Sequence, residues 1–88
     1  MVYLLSVDEA KQYFANENAR ICYPTSYAKN NGAWTNDNGA GWWWLRSPGS
    51  YSSSAALVDL DGYVFTDGDY VNSGIGMVRP VVVLSLGL

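Results

Sequence analysis

Eighty-eight residues are enough for one domain and too few for two, and a chain of this size buries roughly 60–65% of its unfolded surface. The residues are 49% hydrophobic and 15% aromatic, with four Trp and seven Tyr, so a few large side chains can carry a small core; a charged content of 15% suits a chain either well folded on its own or partly covered by a larger protein. The net charge of −3, five scattered basic residues and the lack of histidine argue against a nucleic-acid surface and remove the commonest general base.

Val2 to Leu5 reads as a short apolar strand. The opening Met1–Leu5 is too short for a signal peptide and lacks its basic flank. No stretch approaches the ~20 apolar residues of a membrane helix, so no direct membrane insertion is expected. Ser6-Val7-Asp8-Glu9 has the form of a capping box, and Val7, Ala10 and Phe14 follow on one helical face until Asn16-Glu17-Asn18 ends the run. Cys22 stands alone, which excludes an internal disulfide and a cysteine metal cluster; it is expected as a small buried or half-buried thiol with only Arg20 near it in sequence. Pro24 to Lys29 reads as a second short helix, with Pro24 near its start and Gly32 just past its end. Residues 30–41 form an Asn- and Gly-rich loop around Trp34.

From residue 42 onward helical periodicity stops. Trp42 to Leu45 suits a buried strand, in which one of the three tryptophans must face away from its neighbours. The three are expected mostly in the core, and the odd one is a candidate sugar-stacking platform. Ala55 to Leu60, Tyr63 to Thr66 and Asp69 to Asn72 are further β-prone runs. Asp61-Gly62 and Asp67-Gly68 separate them, and each reads as a hairpin turn, giving a tight meander. Its register stays open: a two-residue turn at Asp61-Gly62 puts Val58 and Val64 on opposite faces, and a three-residue loop with a Gly bulge puts them on the same face. Pro80 to Leu86 is a continuous apolar strand with Pro80 at its start, and its natural partner is Val2 to Leu5.

Asp59, Asp61, Asp67 and Asp69 lie close together, but acids beside Gly in hairpins are turn residues first, so neither catalysis nor a cofactor is expected. Asp59-Leu60-Asp61-Gly62 begins like a calcium loop and lacks the remaining ligands. Trp34-Thr35-Asn36-Asp37 is similar to an element of calcium-dependent lectins but carries an extra residue and has no Glu-Pro-Asn or Gln-Pro-Asp partner, so no metal site is expected. From Ser50 to Gly76, 17 of 27 residues are Ser, Asp, Gly, Tyr or Asn, and no basic residue falls between Arg46 and Arg79. Tyr supplies rigid contact area and Ser, Asn and Gly adaptable hydrogen bonding, as in antibody-like surfaces; the same composition also marks plain turns.

Trp43-Trp44-Leu45-Arg46-Ser47-Pro48-Gly49, then Ala55-Ala56 with Val58, the glycines Gly62 and Gly68, and Val78-Arg79-Pro80-Val81 resemble a bacterial domain of unknown function, numbered 6273. Leu4 to Ala10 and Pro24 to Ala28 fit it as well, so the resemblance covers nearly the whole chain. The pattern is also similar to retroelement-diversified proteins of the C-type-lectin fold and, more distantly, to formylglycine-generating enzymes, whose cysteine and metal chemistry is not carried over. The resemblance implies an α+β fold over residues 1–88: a small C-type-lectin-like domain with two short helices, an antiparallel sheet and paired first and last strands. It also implies a gut bacterium and a module of a larger surface or secreted protein.

In the diversified relatives, framework words alternate with freely changing positions. Those positions map here to Tyr51 to Ser54, Leu57, Asp59, Leu60, Asp61, Tyr63, Phe65, Thr66, Asp67, Asp69, Tyr70, Asn72, Ser73 and Ile75. Met77, inserted before Val78-Arg79-Pro80, departs from the pattern. Arg46 and Arg79 are expected to tie loops through hydrogen bonds to backbone carbonyls or to Asp. The expected function is non-catalytic recognition of a protein or glycan by Tyr51, Ser52, Ser53, Asp59, Asp61, Tyr63, Phe65, Asp69, Tyr70 and Asn72. The alternative is a structural spacer with no ligand of its own.

Overall fold

The capping box forms as the sequence predicts. Ser6 Oγ accepts from the Glu9 amide at 3.1 Å, Glu9 Oε1 accepts from the Ser6 amide at 2.9 Å, and helix α1 runs Val7–Tyr13. In the computed structural model, which describes residues 2–82, α1 buries Ala10 and hands Phe14 edge-on to Trp43, ring centroids 6.3 Å apart. Asn16 does not simply end this helix. Its side chain accepts from the Ala19 amide at 2.9 Å and caps a second helix, α2 (Glu17–Arg20). Asn serves a helix end or a helix start equally well, and four residues are too few to show a period. The helix expected at Pro24 is α3 (Ser26–Asn30), capped by Thr25. Three helices therefore stand where two were expected.

Among the described residues five strands make two antiparallel sheets instead of one. Strands β1 (Val2–Tyr3) and β5 (Val81–Val82) pair Val2 with Val82 and Tyr3 with Val81, so first and last strands meet as expected. The expected continuation of the last strand over 83–86 lies outside the described residues. The second sheet has the order β2 (Trp43–Pro48), β3 (Ser54–Val58), β4 (Val64–Tyr70). Val58 pairs directly with Val64, and both are buried. The turn between them is the three-residue form: Asp59 N–H donates to the Tyr63 carbonyl at 2.8 Å, and Gly62 adopts φ +86°. A Cβ at Gly62 would overlap the Glu17 carbonyl, so this turn is pressed against α2.

Asp67-Gly68 is not a hairpin turn. β4 runs through it, and the two runs expected at 63–66 and 69–72 are one strand with a bulge at Gly68, φ +73°. A turn and a bulge both call for a left-handed Gly, and pairing with β3 decides between them. Ala55 opposes Asp69 while Leu57 opposes Phe65, so Ala56 alone faces Thr66, Asp67 and Gly68. On the other side Ala55 opposes Pro48 and Leu57 opposes Trp44, so Ala56 also faces Leu45, Arg46 and Ser47. Both neighbours of β3 thus shift register around one buried alanine.

The core gathers Leu5, Ala10, Trp43, Leu45, Ala56, Val58, Val64 and Met77. Trp43 is the odd tryptophan, and it is fully buried; the platform expectation for it falls. Trp42 and Trp44 share the other face, centroids 4.8 Å apart, beneath Gly76. Met77, the departure from the family pattern, is a core residue: it bridges Trp43 in parallel, with its amide donating to Trp42 at 2.9 Å and its carbonyl accepting from Trp44 at 3.0 Å. Val78, expected as framework, is exposed.

Much of the Trp-Trp-Leu-Arg-Ser-Pro-Gly run now has a physical reason. Trp43 Nε1 donates to the Arg20 carbonyl at 2.9 Å, and Leu45 fills the core. Arg46 donates to the Leu4 carbonyl at 2.9 Å and pairs with Glu9, as a loop-tying arginine should. Ser47 Oγ accepts from the Val7 amide at 2.9 Å, and Gly49 leaves no room for a Cβ against Asp67 and Ser54. Arg79 behaves differently from the expectation. Its guanidinium lies 4.6 Å from the Phe14 ring centroid and 5.0 Å from that of Trp43, and its Nη1 has no hydrogen-bond partner among the described residues. Among the described residues the aromatic faces, not a carbonyl fork, hold it.

Candidate functional site

The β4 bulge and the β2–β3 connection together build a cleft on the 50–76 surface. Gly68 can sit against the Ala55 carbonyl only because it has no Cβ, and this closeness carries Asp67 over toward Gly49 and Ser50. Two hydrogen bonds fix the approach: the Ser50 amide to the Asp67 carbonyl at 3.0 Å, and Ser50 Oγ to Asp67 Oδ1 at 2.6 Å. Buried Ser54 holds the connection from within, its Oγ accepting from the Tyr51 amide and donating to the Tyr51 carbonyl, each at 3.0 Å. Tyr51 is thereby set opposite Tyr70 at the end of β4. Their rings stack with centroids 6.4 Å apart and planes 18° from parallel.

Two clefts meet at Gly68 and Asp69. One, of about 190 Å³, is lined by Ser50, Tyr51, Ser54, Asp67, Gly68, Asp69 and Tyr70. The other, of about 290 Å³, is lined by Trp42, Leu57, Asp59, Phe65, Gly68 and Asp69. Tyr51 is 67% exposed and Tyr70 55%, far above what a core role requires. Among the described residues the one ion pair is Arg46–Glu9, so Asp59, Asp67 and Asp69 carry charge with no countercharge beside it. Asp59 Oδ1 accepts from the Leu60 amide and Asp69 Oδ1 from the Tyr70 amide, both at 2.8 Å, which orients each carboxylate.

Five of the ten expected binding residues line these clefts. Tyr51, Asp69 and Tyr70 line the first cleft, and Asp59, Phe65 and Asp69 the second. Ser52, Ser53, Asp61, Tyr63 and Asn72 are exposed but line neither. Asp61 serves its turn, accepting from the Tyr63 amide at 3.1 Å. Of the wider set of changeable positions, Ser54 and Leu57 are buried. Ser50, Gly68 and Trp42 line the clefts and were outside that set. A Gly inside a strand pattern, the mark of a bulge, was the signal that could have found the first two.

Neither calcium-like stretch gathers ligands. Asn36 Oδ1 accepts from the Asn38 and Ala40 amides, both at 3.0 Å, closing a local turn with Asp37 exposed. Among the described residues, no three His, Cys, Asp or Glu side chains converge to hold a metal ion. No described helix is long and apolar enough to cross a membrane. A family model described as "Domain of unknown function (DUF6273)" matches residues 1–86. No curated protein and no solved structure matches the chain.

Proposed function

The chain belongs to the DUF6273 family of domains, and we propose that it is a non-catalytic recognition module of a bacterial surface or secreted protein, C-type-lectin-like in fold. It binds a protein or glycan through the two clefts of the 50–76 surface. The observation that carries this reading is the stacked, exposed Tyr51–Tyr70 pair beside Asp67 and Asp69. Two large rings left in water cost contact area that a core would have used, and amphipathic aromatics beside adaptable polar groups are what recognition surfaces employ. Closure of the chain by β1 against β5, with a loop-rich excursion between, supports the lectin-like reading; an experimental structure that fails to superpose on that fold would remove it.

Protein and glycan arrays probed with the chain and with Tyr51→Ala and Tyr70→Ala test the function. Binding that both substitutions abolish supports it. Arrays with no ligand, or binding indifferent to both, would leave a spacer module. Sequencing the gene's surroundings for a reverse transcriptase and a near-copy of the 42–80 coding region tests the diversified form of the reading.

A further inference from the structure

We infer that the Tyr51–Tyr70 cleft receives an arginine side chain presented by a protein partner; this deepens the recognition reading above and rests on it. Size comes first. At about 190 Å³ the cleft lies below the roughly 300–1,000 Å³ of pockets that enclose a whole small molecule, so it accepts one group of a larger partner. The tyrosine pair is not a slot: centroids 6.4 Å apart leave less than the ~7 Å that a flat group between two rings requires. A flat group therefore packs on an exposed outer face of the pair.

Charge selects the group. Asp67 Oδ1 is engaged by Ser50 Oγ and Asp69 Oδ1 by the Tyr70 amide, while no described residue bonds the second oxygen of either carboxylate. Neither carboxylate forms an ion pair with a described residue, and the sequence has no basic residue between Arg46 and Arg79. A guanidinium answers all three features: it is flat enough to lie on a tyrosine face, always charged, and its N–H groups reach carboxylate oxygens in a fork. An ammonium satisfies the charge without the plane, and a neutral sugar the plane without the charge.

The test titrates the ¹⁵N-labelled 88-residue chain with the peptide Gly-Gly-Arg-Gly-Gly, capped at both ends, and with the same peptide carrying citrulline, the neutral isostere of arginine. Amide shifts are expected at Ser50, Tyr51, Asp67, Gly68, Asp69 and Tyr70. Citrulline should bind about fivefold or more weakly, and about 0.5 M salt should weaken the arginine peptide alone. Tyr70→Ala, and Asp67→Asn with Asp69→Asn, should abolish the shifts while the spectrum stays dispersed; the asparagines keep the oxygens that Ser50 and Tyr70 bond. Equal binding of the citrulline peptide, shifts elsewhere, or no shifts overturn the inference. If arrays then show glycan binding that depends on Tyr51 and Tyr70, recognition stands and arginine falls; if bound partners ignore both tyrosines, both fall.

Discussion

Arg20 draws more of the described structure together than any residue the sequence made conspicuous. Its buried guanidinium donates to the Gly62 carbonyl at 2.8 Å and the Phe14 carbonyl at 2.7 Å, and its own carbonyl accepts from Trp43. In sequence it is only a neighbour of Cys22, because its partners lie 42 and 6 residues away and no local pattern encodes them. Arg20→Met keeps the stem and strands two carbonyls, so urea unfolding should show a loss of about 2–3 kcal/mol. Glu9 gives a pH signature. Hydrogen bonding from Arg46 first, then from the Ser6 amide, holds its carboxyl below the usual carboxylate range. The folded state thus binds this proton less readily than the unfolded chain. The resulting stability is present above the unfolded value, about 4.5, and is lost as pH falls through the lowered one. Glu9→Gln keeps the cap acceptor and should flatten the loss of stability as pH falls below about 4.5, measured as the urea midpoint. Space separates glycines with similar angles: Gly62→Ala, against the Glu17 carbonyl, should cost about 3 kcal/mol or more in chemical denaturation, and Gly39→Ala, with nothing within 4 Å, about 1–2.

At the scale of elements, what local chemistry writes was legible and what pairing decides was not. The Ser6–Glu9 box is a local signature, and α1 begins where it says. Ser6→Ala should lower stability by about 1 kcal/mol, read from thermal or urea unfolding. Asn16 and Asp67-Gly68 each had two local meanings, helix end or start, turn or bulge. Contacts far along the chain chose the second in both: Gly62 against Glu17 of α2, and Gly68 of β4 against Ala55 of β3. The hairpin at 59–63 was readable as a pair of alternatives, and burial of both valines selected the three-residue loop. β3 is paired on both sides, whereas α3 buries no residue. Amide hydrogen exchange should therefore be slowest over Ala56 to Val58 and fastest over Ser26 to Asn30, and equal protection of the two would contradict this stability order.

For the whole molecule, composition marked the 50–76 segment and the fold decided which part of it converges. Tyr51 and Tyr70 lie 19 positions apart in sequence and stack because a bulge and a connection meet. Asp61 and Tyr63 belong to the same stretch but stand at the turn, beyond both clefts. Two devices make the scaffold for this: the pairing of β1 with β5, and Ala56, around which β2 and β4 both shift. A buried methyl group facing three residues on each side is a pin for the alignment of three strands. A pinned sheet separates inheritance of shape from inheritance of chemistry, because exchanging an outward side chain on β4 cannot slide the frame that presents it. A saturation library sorted for folded protein should accordingly reject nearly every replacement at Ala56, Gly62 and Gly68 while accepting most at Tyr51, Thr66, Asp69 and Tyr70. Such a domain can exchange outward side chains many times over without relearning how to fold.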